Sequence, residues 1–360
     1  MRQNRGGLMG SLWVIVPAPQ PSQLLQYDVV LLWNVTEGIK VVWTWAEGIG
    51  PHRWTGSIES LTRTFFAVGN INSYAPVVST VNHNFNMYWF NEPPFNTSSV
   101  AELLLDLLAF SVEFWQDNSN EPYPVFFRHN DEPEGAGTAL PRSFMFAWHN
   151  TSSISAKKLR TLLAHELMHN WPLMHRGTFA DQSMYNEGMA EYYALRLLWR
   201  SGVLTAVQYL AEMNERSSSY YRNPVVHLSD EDAMDIAWEN HHAQRIPYGR
   251  GLIHFANIDA QRRQRSNGTE SLDELALSFL DDCRQGKSCG PRGWFEVLRN
   301  GLDNAAVEDY LQVSSGHPLM RPADGSLGPC FRVAQTNHNP VVWQWVAERG
   351  VDIMAPECQV

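Results

Sequence analysis

Lys157–Trp171 reads KKLRTLLAHELMHNW, and this stretch decides how the remainder of the chain is understood. Leu159, Leu162, Leu163, Leu167 and Met168 recur at helical spacing, Ser155 stands where an N-cap belongs, and Pro172 stops the run. In such a helix His165 and His169, four residues apart, lie one above the other on a single face. Both imidazoles therefore reach one metal ion, and Glu166 meets a water on that ion from the side, which is the logic of the HExxH pattern. An amphipathic core helix carrying two histidines by accident is the bland alternative. The cap, the apolar face and the stop, all in register with the motif, weigh against it.

With 360 residues, 44% of them hydrophobic and 18% charged, the chain has enough material for a large core and two subdomains. Its net charge of −11, with no Lys/Arg cluster, argues against nucleic acid or an anionic membrane as a main partner. No apolar stretch reaches transmembrane length. Arg2 and Arg5 ahead of LMGSLWVIVPAP make the start faintly signal-like, although no cleavage site is clear, and a frayed or truncated start fits as well. The four cysteines, Cys283, Cys289, Cys330 and Cys358, contain no CxxC pair, which speaks against a structural zinc site of that kind. Two disulfides fit, Cys283–Cys289 and Cys330–Cys358 for example, although the sequence does not establish the pairing. With sequons at Asn34, Asn96, Asn150 and Asn267, they favour an extracellular chain.

Residues from about 27 to 95 look β-rich. Tyr27–Asn34 and Lys40–Trp45 are apolar and β-branched around a turn-like TEG, and Thr62–Val68 and Asn86–Phe90 are further strand candidates. A helix is expected from about Val100 to Trp115, with Ser99 and Glu102 as a capping box. Tyr123–Arg128 and Ser143–His149 read as strands joined by DEPEGAGTALPR. After the HExxH helix, helices are expected at about 182–200, 204–215, 249–265 and 271–284, the last opened by a Ser271/Glu274 capping box. The remainder is mixed and mostly helical to about residue 312. The fold class is α+β: an N-terminal β-rich domain over 1–98 (its first 26 or so residues disordered or signal-like) and a mainly α-helical domain over 99–360.

Two residues compete as third metal ligand. His175 lies ten beyond His165, the spacing of HExxHxxGxxH, but Pro172 replaces the glycine at which that pattern breaks its helix with a positive φ, and proline is locked near −65°. Glu187, in Tyr185-Asn-Glu-Gly188 on the following helix, gives the gluzincin layout. It completes a His₂Glu set with a fourth position open for water, which suits one zinc ion. Glu187 is the preferred ligand, and His175 reads as a loop residue. Glu191, one turn after Glu187, is either a carboxylate orienting His165 or His169 or part of a solvated face. Asn170 is open.

HELMHNWP followed by YNEGMAEYY resembles the catalytic segment of glycyl-aminopeptidase-like zinc peptidases. The resemblance continues in residues 247–275 and, upstream, in GTALPRSFMFAWHNTSS over residues 137–153. Seventeen residues separate His169 from Glu187, against eighteen in the alanyl-type aminopeptidases. The resemblance implies a thermolysin-like catalytic domain and peptide or protein substrates. It also implies a catalytic tyrosine at Tyr248, 61 residues beyond Glu187, whose bland reading is a half-buried core residue. His241 and His242 are neighbouring alternatives for that role, or merely end a solvated helix. Arg250 is a candidate for a substrate carboxylate or a surface salt bridge. The chain departs from the family on the substrate strand, where Phe144-Met-Phe-Ala-Trp-His149 has no carboxylate to hold a free amino terminus, and no PDZ domain is recognisable. The expectation is a zinc metallopeptidase with Glu166 as general base, exo- or endo-acting. The rivals are a catalytically silent zinc- or peptide-binding protein and a zinc hydrolase of non-peptide substrates.

Overall fold

The computed structural model describes residues 2–4, 6–16, 25–74, 84–131, 136–149, 155–174 and 178–358. The chain divides into two compact units, Met1–Asn170 and Trp171–Val360.

The first unit is built on β-strands. Arg2–Asn4 (β1), Gly7–Ser11 (β2), Lys40–Trp43 (β4), Ala46–Glu47 (β5) and Phe65–Gly69 (β7) form one sheet in the order β1-β2-β7-β4-β5, while Tyr27–Leu31 (β3) pairs with His52–Gly56 (β6). A short helix, Ile58–Thr62 (α1), precedes β7. Alternation sorts neighbouring side chains onto opposite faces. Val42 and Phe65 join one core cluster with Met9, Tyr88, Phe126 and Met145, and Trp43 and Phe66 join another with Leu12 and Leu61. Residues 7–14, expected to be signal-like or disordered, belong to this fabric: β2 pairs with β7, and Met9 and Leu12 are fully buried.

A second sheet contains Asn72–Tyr74 (β8), Phe85–Trp89 (β9), Tyr123–His129 (β10), Ala136–Leu140 (β11) and Ser143–Trp148 (β12), in the order β11-β12-β10-β9-β8. β9, β10 and β12 run parallel, and β12 is buried along its whole length, as strands covered on both faces must be. Register pairs Tyr123 with Phe85, so strands from either side of the boundary expected at 98/99 share one sheet. The helix Thr97–Phe114 (α2) starts one turn earlier than expected. Asn96, not Ser99, is its N-cap, and its side chain accepts from the Ser99 N–H at 2.9 Å. Residues 136–140, expected within a connection, form β11, antiparallel to β12. The HExxH helix, Ala156–Met168 (α3), is capped by Ser155 as expected and packs on α2, β11 and β12.

The second unit is helical: Phe179–Arg200 (α4), Ala206–Tyr221 (α5), Asp230–Asp235 (α6), His241–Gln244 (α7), Ile246–Arg265 (α8), Leu272–Arg284 (α9), Pro291–Gly301 (α10) and Asn304–Ser314 (α11). Capping boxes open α4 (Thr178/Asp181) and, as expected, α9 (Ser271/Glu274). The long helices α4 and α8 cross at Gly188 and Gly251. A Cβ on either glycine would overlap the backbone of the other, so both positions require the absence of a side chain. Tyr185, Phe255, Phe279 and Trp294 pack edge-on and tilted around this crossing. Arg196 is buried between the carboxylates of Asp259 and Asp273. The hairpin Phe331–His338 (β13) and Val341–Ala347 (β14) lies on α5, where the Asn214 amide bonds both the N–H and the C=O of Trp345. Both expected disulfides, Cys283–Cys289 and Cys330–Cys358, are formed. No described helix is long and apolar enough to cross a membrane. Asn34, Asn96 and Asn267 are exposed, and Asn150 lies outside the described residues.

Candidate metal centre and active site

In the first unit Leu159, Leu163 and Leu167 anchor α3, and the face carrying His165 and His169 follows from helical period. The two Nε2 atoms converge to 3.0 Å, with the rings nearly perpendicular at 89°. Two nitrogens at ~2.05 Å from a zinc in tetrahedral geometry stand ~3.3 Å apart, so the pair fits two corners of such a site. His169 is itself the C-cap of α3, which puts the second imidazole at the end of the helix.

Glu166 is buried and lies against Gly137 of β11. A methyl group on Gly137 would fall deep inside contact distance of the Glu166 carboxylate, so only glycine leaves it this place. Near it Tyr123 is fully buried. Burial holds its phenol well above the usual range, Arg142 pulls the other way, and the charge of Glu166 adds to the rise. Asn170, left open by the sequence, braces the helix end. Its Oδ1 accepts the Arg142 N–H at 3.1 Å, while the Arg142 guanidinium donates to Asp117 at 2.6 Å. The turn between β11 and β12 is thereby tied to the end of α3.

The stretch Phe144–His149, expected to be the substrate-side strand, overlaps β12, which sits inside the sheet between β10 and β11. Its backbone groups are taken on both sides. The strand at this edge of the sheet among the described residues is β11, Ala136-Gly-Thr-Ala-Leu140, and it too has no carboxylate. Sequence reading missed it because its small residues lack the β-branched and aromatic signal of a strand.

In the second unit Glu187 is half-buried on α4. Asn186, just before it, accepts the Met174 N–H at 2.9 Å and so fastens the incoming segment to α4. Glu191 is buried rather than on a solvated face. Arg216 of α5 donates to it at 2.5 Å and to Glu212 at 2.6 Å, locking one turn of α4 beside Glu187. Tyr248 is half-buried in the first turn of α8, with the Arg245 guanidinium 5.0 Å from its ring centre. Arg250 is neither a ligand for substrate nor a surface bridge. It is fully buried, pairs with Asp230 at 2.5 Å and donates to the Val226 and Leu228 carbonyls. Burial pushes the Asp230 carboxyl up to about 6, while Arg250 works against the rise. His241 and His242 open the short helix α7, exposed, with Asn240 as its cap. His175 lies outside the described residues.

No protein-family model matches the chain, and no curated protein matches it by sequence. Solved structures do. An aminopeptidase N family protein from Idiomarina loihiensis superposes at a TM-score of 0.62 with 15% identity over 83% of this chain and 56% of that one. Native leukotriene A4 hydrolase from Saccharomyces cerevisiae superposes at a TM-score of 0.52 with 14% identity, over 79% of this chain and 45% of that one. The chain thus spans about half the length of these two structures. At these identities the likeness is one of fold, a β region followed by a helical region, and this chain shares that fold with an aminopeptidase N family protein and with leukotriene A4 hydrolase.

Proposed function

We propose that this chain is a zinc metallopeptidase in which His165, His169 and Glu187 hold one zinc ion, Glu166 is the general base and Tyr248 stabilises the developing oxyanion. Among the described residues these two histidines and Glu187 are the group of side chains with the make-up to hold a metal ion. Zinc bound there would act as a Lewis acid that lowers the pKa of water from about 16 to roughly 7. Glu166 takes a proton from the attacking water and passes it to the leaving amine. The Tyr248 hydroxyl donates to the carbonyl oxygen as charge develops on it.

The observation that carries this reading is the place of Glu166, beside two converging imidazoles and against an edge strand of a sheet. An extended peptide can add to such a strand through its backbone, which brings a peptide bond alongside the base. β11 carries no carboxylate to clasp an amino terminus, and both trimming and internal cleavage stay open to this site. The test is digestion of a mixed peptide library, read by mass spectrometry, with wild type and Glu166→Gln side by side. Cleavage by wild type alone supports the proposal, and the cut positions distinguish trimming from internal cleavage. Zinc binding without cleavage by either protein refutes it and leaves a binding protein or a hydrolase of other substrates.

A further inference from the structure

Among the Asn-x-Ser/Thr sequons of the chain, the structure sets Asn34-Val35-Thr36 apart. Asn96 spends its side-chain oxygen on the cap of α2, and Ser98 of its sequon lies inside that helix. Asn267 sits in a turn at a φ of 53°, and the Thr269 hydroxyl of its sequon donates to the Ser266 carbonyl at 2.8 Å. Asn150 lies outside the described residues. Asn34 and Thr36 are both exposed, and neither side chain makes a hydrogen bond among the described residues.

Asn34 also ends an apolar row. Val29, Leu31 and Trp33 turn inward onto the cluster of Leu12, Trp43 and Phe66, with the Trp33 ring 5.3 Å from that of Phe66. The alternate residues Val30, Leu32 and Asn34 therefore face outward together. Val30 is 55% exposed and Leu32 64%, and Ile49, whose carbonyl accepts the Trp33 N–H at 2.9 Å, is 52% exposed. Large aliphatic side chains clustered in water in this way mark a surface that something covers. The sequon at the end of the row supplies the occupant.

We propose that Asn34 is a modification site carrying an N-linked oligosaccharide that lies over Val30, Leu32 and Ile49. The donor is a polyprenyl diphosphate-linked oligosaccharide. The bond from Asn34 Nδ2 to the sugar C1 forms and the C1–O bond to the diphosphate breaks. The diphosphate leaves with the bonding electrons, and the amide gives up one proton. Thr36, two residues on, supplies the hydroxyl that the acceptor pattern requires. Sugar C–H faces meet the aliphatic side chains while the sugar hydroxyls stay in water. Attachment takes place on the oxidising secretory route, where Cys283–Cys289 and Cys330–Cys358 also form. It is independent of whether the chain cleaves peptides.

The test begins with protein purified from its native source, treated with an N-glycan amidase in heavy-oxygen water and mapped by mass spectrometry. The Asn34 peptide should appear as labelled aspartate in most molecules, and an unlabelled Asn34 overturns the proposal. In chain produced through the secretory route of a eukaryotic host, Thr36→Ala should abolish the label with Asn34 still in place, and Thr36→Ser should keep it. Label that survives in Thr36→Ala overturns N-linked attachment. Coverage of the row is read by binding of an apolar dye and by sedimentation. The Thr36→Ala protein should bind more dye and sediment as larger species than the glycosylated parent, and adding Val30→Thr and Leu32→Thr should reverse both. Equal dye binding and sedimentation with and without the sugar overturn the covering role.

Discussion

Replacing Gly137 with alanine tests the active-site geometry at a residue that performs no chemistry. The new methyl group would lie far inside the ordinary 3.4 Å contact distance from the Glu166 carboxylate. Backbone on a paired strand does not yield easily, whereas a glutamate side chain can swing. The carboxylate therefore moves, by on the order of 1 Å, and misplacement of that size costs about a hundredfold in rate, or ~2.7 kcal/mol of barrier. His165 and His169 point from another part of the helix surface, so zinc should stay bound. The assay is kcat/KM on the best library peptide, with zinc content by mass spectrometry and Tm measured on the same sample. The expected result is a drop of about a hundredfold with full zinc and little change in Tm. Activity within threefold of wild type at full zinc would refute the placement of Glu166 against β11.

Other outcomes follow from the same structure. Glu187→Ala should strip zinc at pH 7 while His175→Ala should not, as read by metal content after dialysis; the opposite pattern would sink the His₂Glu assignment. His254, buried against Phe255 and Tyr310, has its pKa pushed down to about 3 by burial, from an ordinary 6.5. The unfolded chain takes up that proton first, so the stabilisation is complete above pH 6.5 and is lost as pH falls towards 3. Between pH 7.5 and pH 5 this amounts to ~2 kcal/mol, and His254→Phe should flatten that part of the urea-midpoint profile. Reducing Cys330–Cys358, which closes a loop of sequence separation 28, should cost ~3.5 kcal/mol by loop entropy, visible as a lower Tm in dithiothreitol. An unchanged Tm with both thiols shown to be free would count against that contribution.

The HExxH helix, its Ser155 cap and the Ser271/Glu274 box were legible in the sequence, because each depends on residues close in the chain; the disulfide pairing was not, since four cysteines allow three connectivities. Local spacing carries the whole of such a signal. What misled was equally local. Ser99 and Glu102 look like a cap, yet Asn96 lies one turn earlier and takes the role. Residues 7–11 carry no clear strand signal, yet they pair with Phe65–Gly69, a partner that only the sheet supplies.

The chemistry on offer was written in the linear order of residues: two imidazoles four apart, a carboxylate beside the first, and another carboxylate after a gap of seventeen residues. Helical period aligns the two imidazoles without help from any partner. Long-range packing alone settled that β11 lies at an edge of its sheet, that Gly137 clears a place for Glu166, and that Arg250 is an internal strut tied to Asp230. Most of those facts are set by pairings between residues distant in the chain. No periodicity encodes them, because burial and charge pairing are properties of the packed molecule.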